Sequence, residues 1–126
     1  MRCVELQSTC NWFTHFQIPQ INVGLLIPRG TNFDDQVGFE TSAGAIPVAI
    51  QEAIELQVYD PRLYNLTFSW YFDNCVEELS AGYAAKLISE HRVSVILGPV
   101  CPPSARVVGA LTSYANVLSL PWGVAM

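Results

Sequence analysis

Positive charge is scarce in this sequence and is nowhere clustered. The 126 residues contain six Lys and Arg against eleven Asp and Glu, for a formal net charge of −5 at pH 7. A nucleic-acid surface needs grouped cations that displace counterions from phosphates. The composition therefore predicts no nucleic-acid partner.

Long apolar runs and catalytic motifs are missing as well. No stretch approaches the roughly 20 apolar residues that span a bilayer. Glu5, Gln7, Ser8 and Thr9 interrupt any signal-peptide core at the start of the chain. Glycine-rich nucleotide loops, the G-x-S-x-G turn and the H-E-x-x-H zinc motif do not occur. The sequence thus favours a non-catalytic protein.

Apolar residues are abundant, and their spacing alternates between strand and helix. Hydrophobic residues make up 51% of the chain and charged residues 13%, which is enough for one packed domain. Residues 1–20 are expected to form a disordered leader and residues 21–126 the folded part. Short β-branched runs predict strands, and three- to four-residue periodicity predicts helices. The strands are predicted over 21–28, 66–72, 93–100 and 117–124, and the helices over 46–57, 76–92 and from Pro102 or Pro103 to about 115.

Strands that alternate with helices of this length are typical of β-α-β units and a parallel sheet. Right-handed crossovers make it a doubly wound α/β sheet, with a predicted strand order of 2-1-3-4. One face of each helix is expected to point inward. On the second helix that face carries Leu79, Tyr83, Ala84, Leu87 and Ile88.

The four cysteines divide into two groups. Cys3, Cys10 and His15 lack a fourth ligand and a standard spacing, so no metal site is predicted. Cys75 follows the second strand and Cys101 follows the third. With the first strand between them, both sulfurs lie at the carboxyl edge of the sheet, where the loops can bring them within bridging range. Two unpaired thiols are the alternative.

One glycosylation motif bears on the compartment. Asn65, Leu66 and Thr67 form the N-x-[ST] acceptor of secreted proteins, at the start of the second strand. Asn65 is therefore expected at the amino-terminal edge of the sheet. An acceptor asparagine together with a possible cysteine pair favours an oxidising compartment.

Ligands of doubly wound sheets bind beyond the carboxyl ends of the strands. Arg29 and Arg106 stand at that edge and can pair with an anionic ligand group, with a solvent-facing role as the alternative. Ser104, in the first turn of the third helix, is a further candidate. Trp122 either stacks on a ligand or rests against a part of the lobe outside this chain. His91 ends the second helix and is expected to be solvated.

Several longer stretches resemble a known family. "SAGAIPVAIQEAI", "DNC" and "ELSAGYAAKLISEHRVSVILGPVCPPSARVVGALTSYANVLSLPWG" are similar to the amino-terminal lobe of the ligand-binding region of receptor guanylyl cyclases, including natriuretic-peptide receptors (the ANF receptor family). The resemblance covers about residues 20–125. It implies part of a type I periplasmic-binding-protein lobe, with a disulfide between Cys75 and Cys101.

The resemblance also implies partners and a site. Homodimers would form through exposed helix faces at Ser89 and Tyr114, with a core position as the alternative for Tyr114. A chloride is possible at the backbone N–H groups of Val100 and Cys101, since a helix amino terminus favours an anion. Asp73 stands where the family carries a serine, and its carboxylate would repel that anion. No other cofactor is implied.

The function implied is ligand sensing at the outer face of a plasma membrane. The full-length parent would be a single-pass receptor that binds a peptide or small molecule and signals through cGMP. This chain is expected to be a fragment without cyclase activity, attached to the membrane only through segments of the parent. The alternatives are a small soluble α/β enzyme with a Cys101 nucleophile and a bacterial-type solute-binding lobe.

Overall fold

The computed structural model describes residues 17–30 and 37–123. Most of the expected leader, with Cys3, Cys10 and His15, lies outside these residues. Among the described residues no helix has the length and apolar character required to cross a membrane. The elements in chain order are β1 (Gln20–Ile27), α1 (Phe39–Ser42), α2 (Ala45–Glu55), β2 (Asn65–Phe72), α3 (Glu77–Ser89), β3 (Val95–Leu97), α4 (Pro102–Ala115) and β4 (Leu118–Leu120).

The four strands form one parallel sheet in the order β2-β1-β3-β4. In the central strand, Leu25 pairs with Trp70 of β2 and with Leu97 of β3. The predicted fold class and strand order are therefore confirmed. Because all strands run the same way, the segments that follow them meet at one edge, called here the carboxyl edge.

The core lies between one face of the sheet and helices α3 and α4. Its side chains are fully or almost fully buried. Burial of each of the larger aliphatic ones stabilises the folded protein by about 1.5–3 kcal/mol. Gly24 of β1 allows α3 to pack closely, because a Cβ there would lie 2.9 Å from Cδ1 of Leu87. The core cluster consists of Leu26, Ala84, Leu87, Val93, Ile96 and Val108.

Helix α3 departs from its predicted inward face at two positions. Leu79 is 40% exposed, whereas its neighbour Ser80 is fully buried. Ser80 is drawn inward because its hydroxyl donates a hydrogen bond to buried Asp73. On α4, Thr112 is buried for a comparable reason, since its hydroxyl is satisfied by the carbonyl of Val108.

The third and fourth strands are shorter than the apolar runs that predict them. Strand β3 ends at Leu97 because Gly98 has a φ of 99°, a conformation that side-chain-bearing residues rarely adopt. A Cβ at Gly98 would also overlap the carbonyl oxygen of Leu26. The Gly98 N–H donates instead to the carbonyl of Leu120, which keeps β3 and β4 together at the carboxyl edge.

The second face of the sheet is only partly covered. Helix α2 lies on this side but has no buried residue. Trp70 is 51% exposed and Leu120 46% exposed on the strands of this sheet. A parallel sheet normally has helices on both faces. Here the incomplete cover leaves an open space beside α2.

Candidate functional site

A disulfide joins two of the segments at the carboxyl edge. Cys75, after β2, is bonded to Cys101, after β3, with 5.5 Å between the Cα atoms and a sequence separation of 26. Helix α3 begins two residues after Cys75, and α4 begins directly after Cys101. The bridge therefore ties together the amino ends of two packed helices.

The turn that carries Cys75 has an unusual backbone. Asn74 and Cys75 have φ values of 50° and 60°, and the Val76 N–H donates to the Asp73 carbonyl at 2.9 Å. These are features of a type I′ turn, in which both central residues are left-handed. Asparagine tolerates this region better than cysteine does. Asn74 Oδ1 also accepts the Arg29 N–H at 2.8 Å, which links this turn to the segment after β1.

Asp73 is a fully buried carboxyl group at this edge. Burial raises the pKa of Asp73 above its ordinary value, although the Ser80 hydroxyl and the backbone N–H groups of Asp73, Asn74 and Cys75 oppose the shift. The Ser80 hydroxyl lies 2.6 Å from Asp73 Oδ2. Asp73 is thus held inside the protein and does not project towards a ligand.

The segment after β3 carries three further candidates. Val100 and Ser104 are buried, and Cys101 precedes the first turn of α4 in an extended conformation. Ser104 Oγ has no hydrogen-bond partner among the described residues. The backbone and hydroxyl donors could favour an anion, but the buried Asp73 carboxyl in the segment across the bridge opposes one. We therefore assign no chloride to this edge.

Arg29 lies at the carboxyl edge but is engaged within the chain. Its Nε atom donates to Glu40 at 3.0 Å. The guanidinium carbon lies 5.5 Å from the ring centre of Phe39 and 5.2 Å from that of Phe72, in cation–π geometry. Arg29 therefore connects α1 to the end of β2. A ligand contact by Arg29 stays a prediction.

Arg106 and Tyr114 lie on a different surface, the outward face of α4. Tyr114 is 94% exposed, so its alternative reading as a core residue is wrong. The two side chains flank a groove of about 630 Å³, called here the α4 groove. Ser89, on α3, is exposed, and its hydroxyl donates to the Ala85 carbonyl. The other residues lining the α4 groove are Glu77, Pro103, Val107, Ala110 and Leu111.

A second cavity, of about 530 Å³, opens between α2 and the uncovered face of the sheet. It is called here the α2 cavity. Trp122 forms part of its wall and is half-buried. The small residues before and within α2 could not be recognised from the sequence as part of a cavity wall, because small side chains carry no chemical signal of a binding site. The α2 cavity is lined by Leu25, Ile27, Thr41, Ser42, Ala43, Ala45, Ile46, Ala49, Leu97, Leu120, Pro121 and Trp122.

The position of His91 just after α3 predicted a solvated side chain, but the structure shows otherwise. Its ring is half-buried and makes hydrogen-bond contacts with Ser69 Oγ at 3.2 Å and with the Tyr71 hydroxyl at 3.1 Å. Tyr71 stacks in turn on Tyr83, with 4.7 Å between ring centres. The His91 ring therefore joins β2 to the end of α3. Cys101, which is held in the disulfide, makes no contact with it.

The parallel sheet and its helices have the fold of one lobe of the type I periplasmic-binding proteins. The solute-binding protein LivJ of Streptococcus pneumoniae, solved in complex with isoleucine, matches with a TM-score of 0.68 at 15% identity, over 85% of this chain and 30% of that one. A Rhodopseudomonas palustris solute-binding protein in complex with 4-hydroxybenzoate matches with a TM-score of 0.64 at 18% identity, over 84% and 27%. At these identities the likeness shows the fold alone.

Sequence comparison finds relatives among the receptor-type guanylate cyclases. Two receptor-type guanylate cyclases of Caenorhabditis elegans, gcy-14 and gcy-20, are 35% and 34% identical over 105 residues, or 82% of this chain. Receptor-type guanylate cyclases are thus homologues of this chain, and the resemblance noted in the sequence is confirmed. The chain spans about 9% of the length of these relatives. No family model matches it.

Proposed function

We propose that the chain is the amino-terminal part of an extracellular ligand-binding region of a receptor-type guanylate cyclase. In the full-length receptor it would help to sense a peptide or small molecule and to control cGMP production. The observation that carries the proposal is the α2 cavity, because the last residues of β1, β3 and β4 line it, next to the carboxyl edge of a lobe homologous to these receptors. Ligands of doubly wound sheets bind at that edge.

The walls of the α2 cavity indicate the ligand chemistry. They are mostly aliphatic, with Trp122 as the aromatic member and with Thr41 and Ser42, at the end of α1, as the hydroxyl residues. The Thr41 hydroxyl also donates to the Gly38 carbonyl at 3.0 Å. Such a surface suits an apolar group that carries a polar end. Isoleucine and 4-hydroxybenzoate, the ligands of the two solute-binding proteins, have this character. We propose a ligand, or a peptide side chain, of the same kind.

The disulfide suits a sensing role because it makes the edge rigid. With Cys75 and Cys101 joined, the turn after β2 and the amino end of α4 move together with the sheet. A ligand that contacts this edge and a second lobe would then favour the closed arrangement of the two lobes. Such closure about a hinge is a common way to transmit binding.

Titration by nuclear magnetic resonance tests the α2 cavity directly, with isoleucine and 4-hydroxybenzoate as probes. We expect saturable shifts for at least one probe at the Trp122 indole N–H and at the amides of Leu97 and Leu120. Ala49→Trp should abolish them by filling the cavity. The matched control is Ala85→Trp, at an exposed position on α3. Absence of shifts with both probes, or equal loss in the two variants, would overturn the proposal.

A cysteine enzyme is the second candidate, and the disulfide disfavours it. Because Cys101 is bonded to Cys75, Cys101 offers no thiolate at the amino end of α4. Peptide mapping without reduction should recover a fragment that contains both residues. The chain should also form no cGMP from GTP. A free, alkylatable Cys101 in the native protein would favour the enzyme instead.

We propose further that two copies associate through the α4 groove, whose lining includes Tyr114, and through the exposed Ser89 of α3. Glu77 and Arg106 carry opposite charges on this surface. A two-fold axis can therefore pair Arg106 of each copy with Glu77 of the other. Sedimentation should show a concentration-dependent dimer that Tyr114→Ser weakens at least tenfold. Val58→Ser, at another exposed apolar position, is the control and should leave it unchanged.

A further inference from the structure

We propose that Asn65 carries an N-linked oligosaccharide, and that the sugar is attached before β1 and β2 pair. The proposal rests on the extracellular location proposed above for the lobe. It concerns the amino-terminal edge of the sheet, which neither the α2 cavity nor the α4 groove involves. The acceptor sequence Asn65-Leu66-Thr67 meets the composition rule for this modification.

The surroundings of Asn65 have room for a sugar. Asn65 is exposed and is the first residue of β2, an outer strand of the sheet. An open groove of about 820 Å³ lies beside it. The disulfide is at the opposite edge, after the end of β2. A glycan here would leave the ligand edge free. The groove is lined by Gln17, Ile18, Pro19, Gln20, Pro61 and Asn65.

The folded structure engages the acceptor sequence in two further contacts. The Asn65 N–H donates to the Pro19 carbonyl at 2.9 Å. The Thr67 hydroxyl donates to Asn22 Oδ1 of β1 and is half-buried. Because the acceptor motif requires a hydroxyl residue at the third position, the transferase must contact that hydroxyl. Asn22 occupies it once the strands have paired.

The order of events follows from these contacts. While β2 is unpaired, the Thr67 hydroxyl is available and the chain can bend into a transferase site. After pairing, eight residues of β2 are fixed in register against β1. Transfer to Asn65 must therefore come first, and folding then places the sugar at the end of the strand. The Thr67–Asn22 hydrogen bond afterwards forms beneath it.

The transfer uses a lipid-linked oligosaccharide diphosphate as donor. Asn65 Nδ2 forms a bond to the anomeric carbon of the first sugar, and the bond from that carbon to the diphosphate oxygen breaks. The lipid diphosphate leaves with the bonding electron pair. The amide loses one proton to a base of the transferase. No oxidant or reductant is needed.

The attached sugar has a physical consequence for β2. An outer strand presents unpaired backbone groups that can recruit another chain. A bulky, hydrated sugar at the first residue of β2 prevents a second strand from lying alongside it. Association is then left to the α4 groove, on the other side of the core. The glycan thus favours one kind of dimer over edge-to-edge aggregation.

Cell-free translation with microsomes tests the site. The full chain is given a secretion signal, so that the outcome does not depend on the native location. We expect a mass increase of one oligosaccharide, removed by an amidase that converts the acceptor to aspartate. Asn65→Gln and Thr67→Ala should abolish the increase, whereas Thr67→Ser should retain it. An unmodified translocated chain would overturn the site and leave the ligand titration unaffected.

The timing is tested on purified, sugar-free protein. Solubilised transferase and a lipid-linked oligosaccharide are added either to the folded chain or to the chain after reduction and unfolding. We expect modification of the unfolded chain and at least a tenfold slower reaction of the folded one. Equal rates for the two forms would overturn the proposed order, even if Asn65 is the acceptor.

Discussion

The Ser80 hydroxyl donates a 2.6 Å hydrogen bond to Oδ2 of Asp73, and both side chains are fully buried. Asp73 directly follows β2, and Ser80 lies in the first turn of α3. The bond therefore fixes the start of α3 against the end of the strand. It does so at a cost, because burial raises the pKa of Asp73. The ionised form is consequently less favourable inside the protein than in the unfolded chain.

Asp73→Asn should change how stability depends on pH. In the unfolded chain an aspartate has a pKa near about 3.9. The native pKa of Asp73 is higher, so the folded state binds its proton more tightly. The contribution of Asp73 to the free energy of unfolding is fully present below pH ~4 and is lost as the pH rises through the native pKa. Relative to the wild type, Asp73→Asn should therefore gain stability between pH 4.5 and 7.5, measured by urea unfolding.

Asp60→Asn is the matched control, because the pKa of Asp60 moves the other way. Hydrogen bonds from Arg62 lower the pKa of this exposed carboxyl. The stability that it contributes is present above the unfolded pKa and is lost as pH falls. Asp60→Asn should thus be less stable than the wild type by a constant amount between pH 4.5 and 7.5, because this contribution changes with pH only below pH ~4. Parallel pH profiles for wild type and Asp73→Asn would contradict the burial argument.

Much of the architecture can be predicted from the sequence, because local patterns determine it. Short β-branched runs separated by helices require a parallel sheet, and right-handed crossovers restrict the strand order. The burial of Ser80 in place of Leu79 could not be predicted in this way. It depends on the long-range contact with Asp73, and apolar periodicity contains no information about a buried polar partner.

The candidate site was predictable only in part, for similar reasons. Cysteines that follow two parallel strands separated by one strand lie at the same edge of the sheet, so their positions are informative. The α2 cavity is different, because Ala45 and Ala49 matter only by being small beside an uncovered sheet face. On α4, Val107 lines the outer groove while Val108 is buried. Adjacent valines of equal hydrophobicity give no signal that separates these roles.

Removing the disulfide should destabilise the protein substantially. For a bridge that spans 26 residues, the chain-entropy model gives about 3.5 kcal/mol. We expect a loss of this order for Cys75→Ala with Cys101→Ala in urea unfolding. Cys75→Gly with Cys101→Ala should be less destabilised by about 1 kcal/mol, because glycine accepts the φ of 60° at this position. Equal losses in the two double variants would show that the turn relaxes without the bridge.

Two glycine substitutions should act in opposite directions. Gly98→Ala places a Cβ against the Leu26 carbonyl at a φ of 99°, so we expect a loss of at least about 2 kcal/mol. At Gly82, within α3, an added Cβ would have no neighbouring atom within 4 Å. Gly82→Ala should gain about 0.5–1 kcal/mol from helix propensity. Thermal unfolding at one pH measures both, and a neutral Gly98→Ala would contradict the close approach of β3 to β1.

Asn22 should stabilise three elements at once, and a double-mutant cycle can isolate its bond to β2. Its Nδ2 group donates to the carbonyls of His91 and Arg92 at 3.1 and 3.3 Å, and its Oδ1 accepts from the Thr67 hydroxyl. Asn22→Ala should cost about 1–3 kcal/mol, since half-buried polar groups lose their partners.

Thr67→Val completes the cycle. The cost of the double variant should fall short of the summed single costs by about 0.5–1.5 kcal/mol, because the two residues share one hydrogen bond. Sugar-free protein is required, so that only folding is measured. Ser89→Ala removes a local hydroxyl bond within α3 and should change stability little. Strictly additive losses would mean that Thr67 is satisfied by water, and that strand pairing does not occupy its hydroxyl.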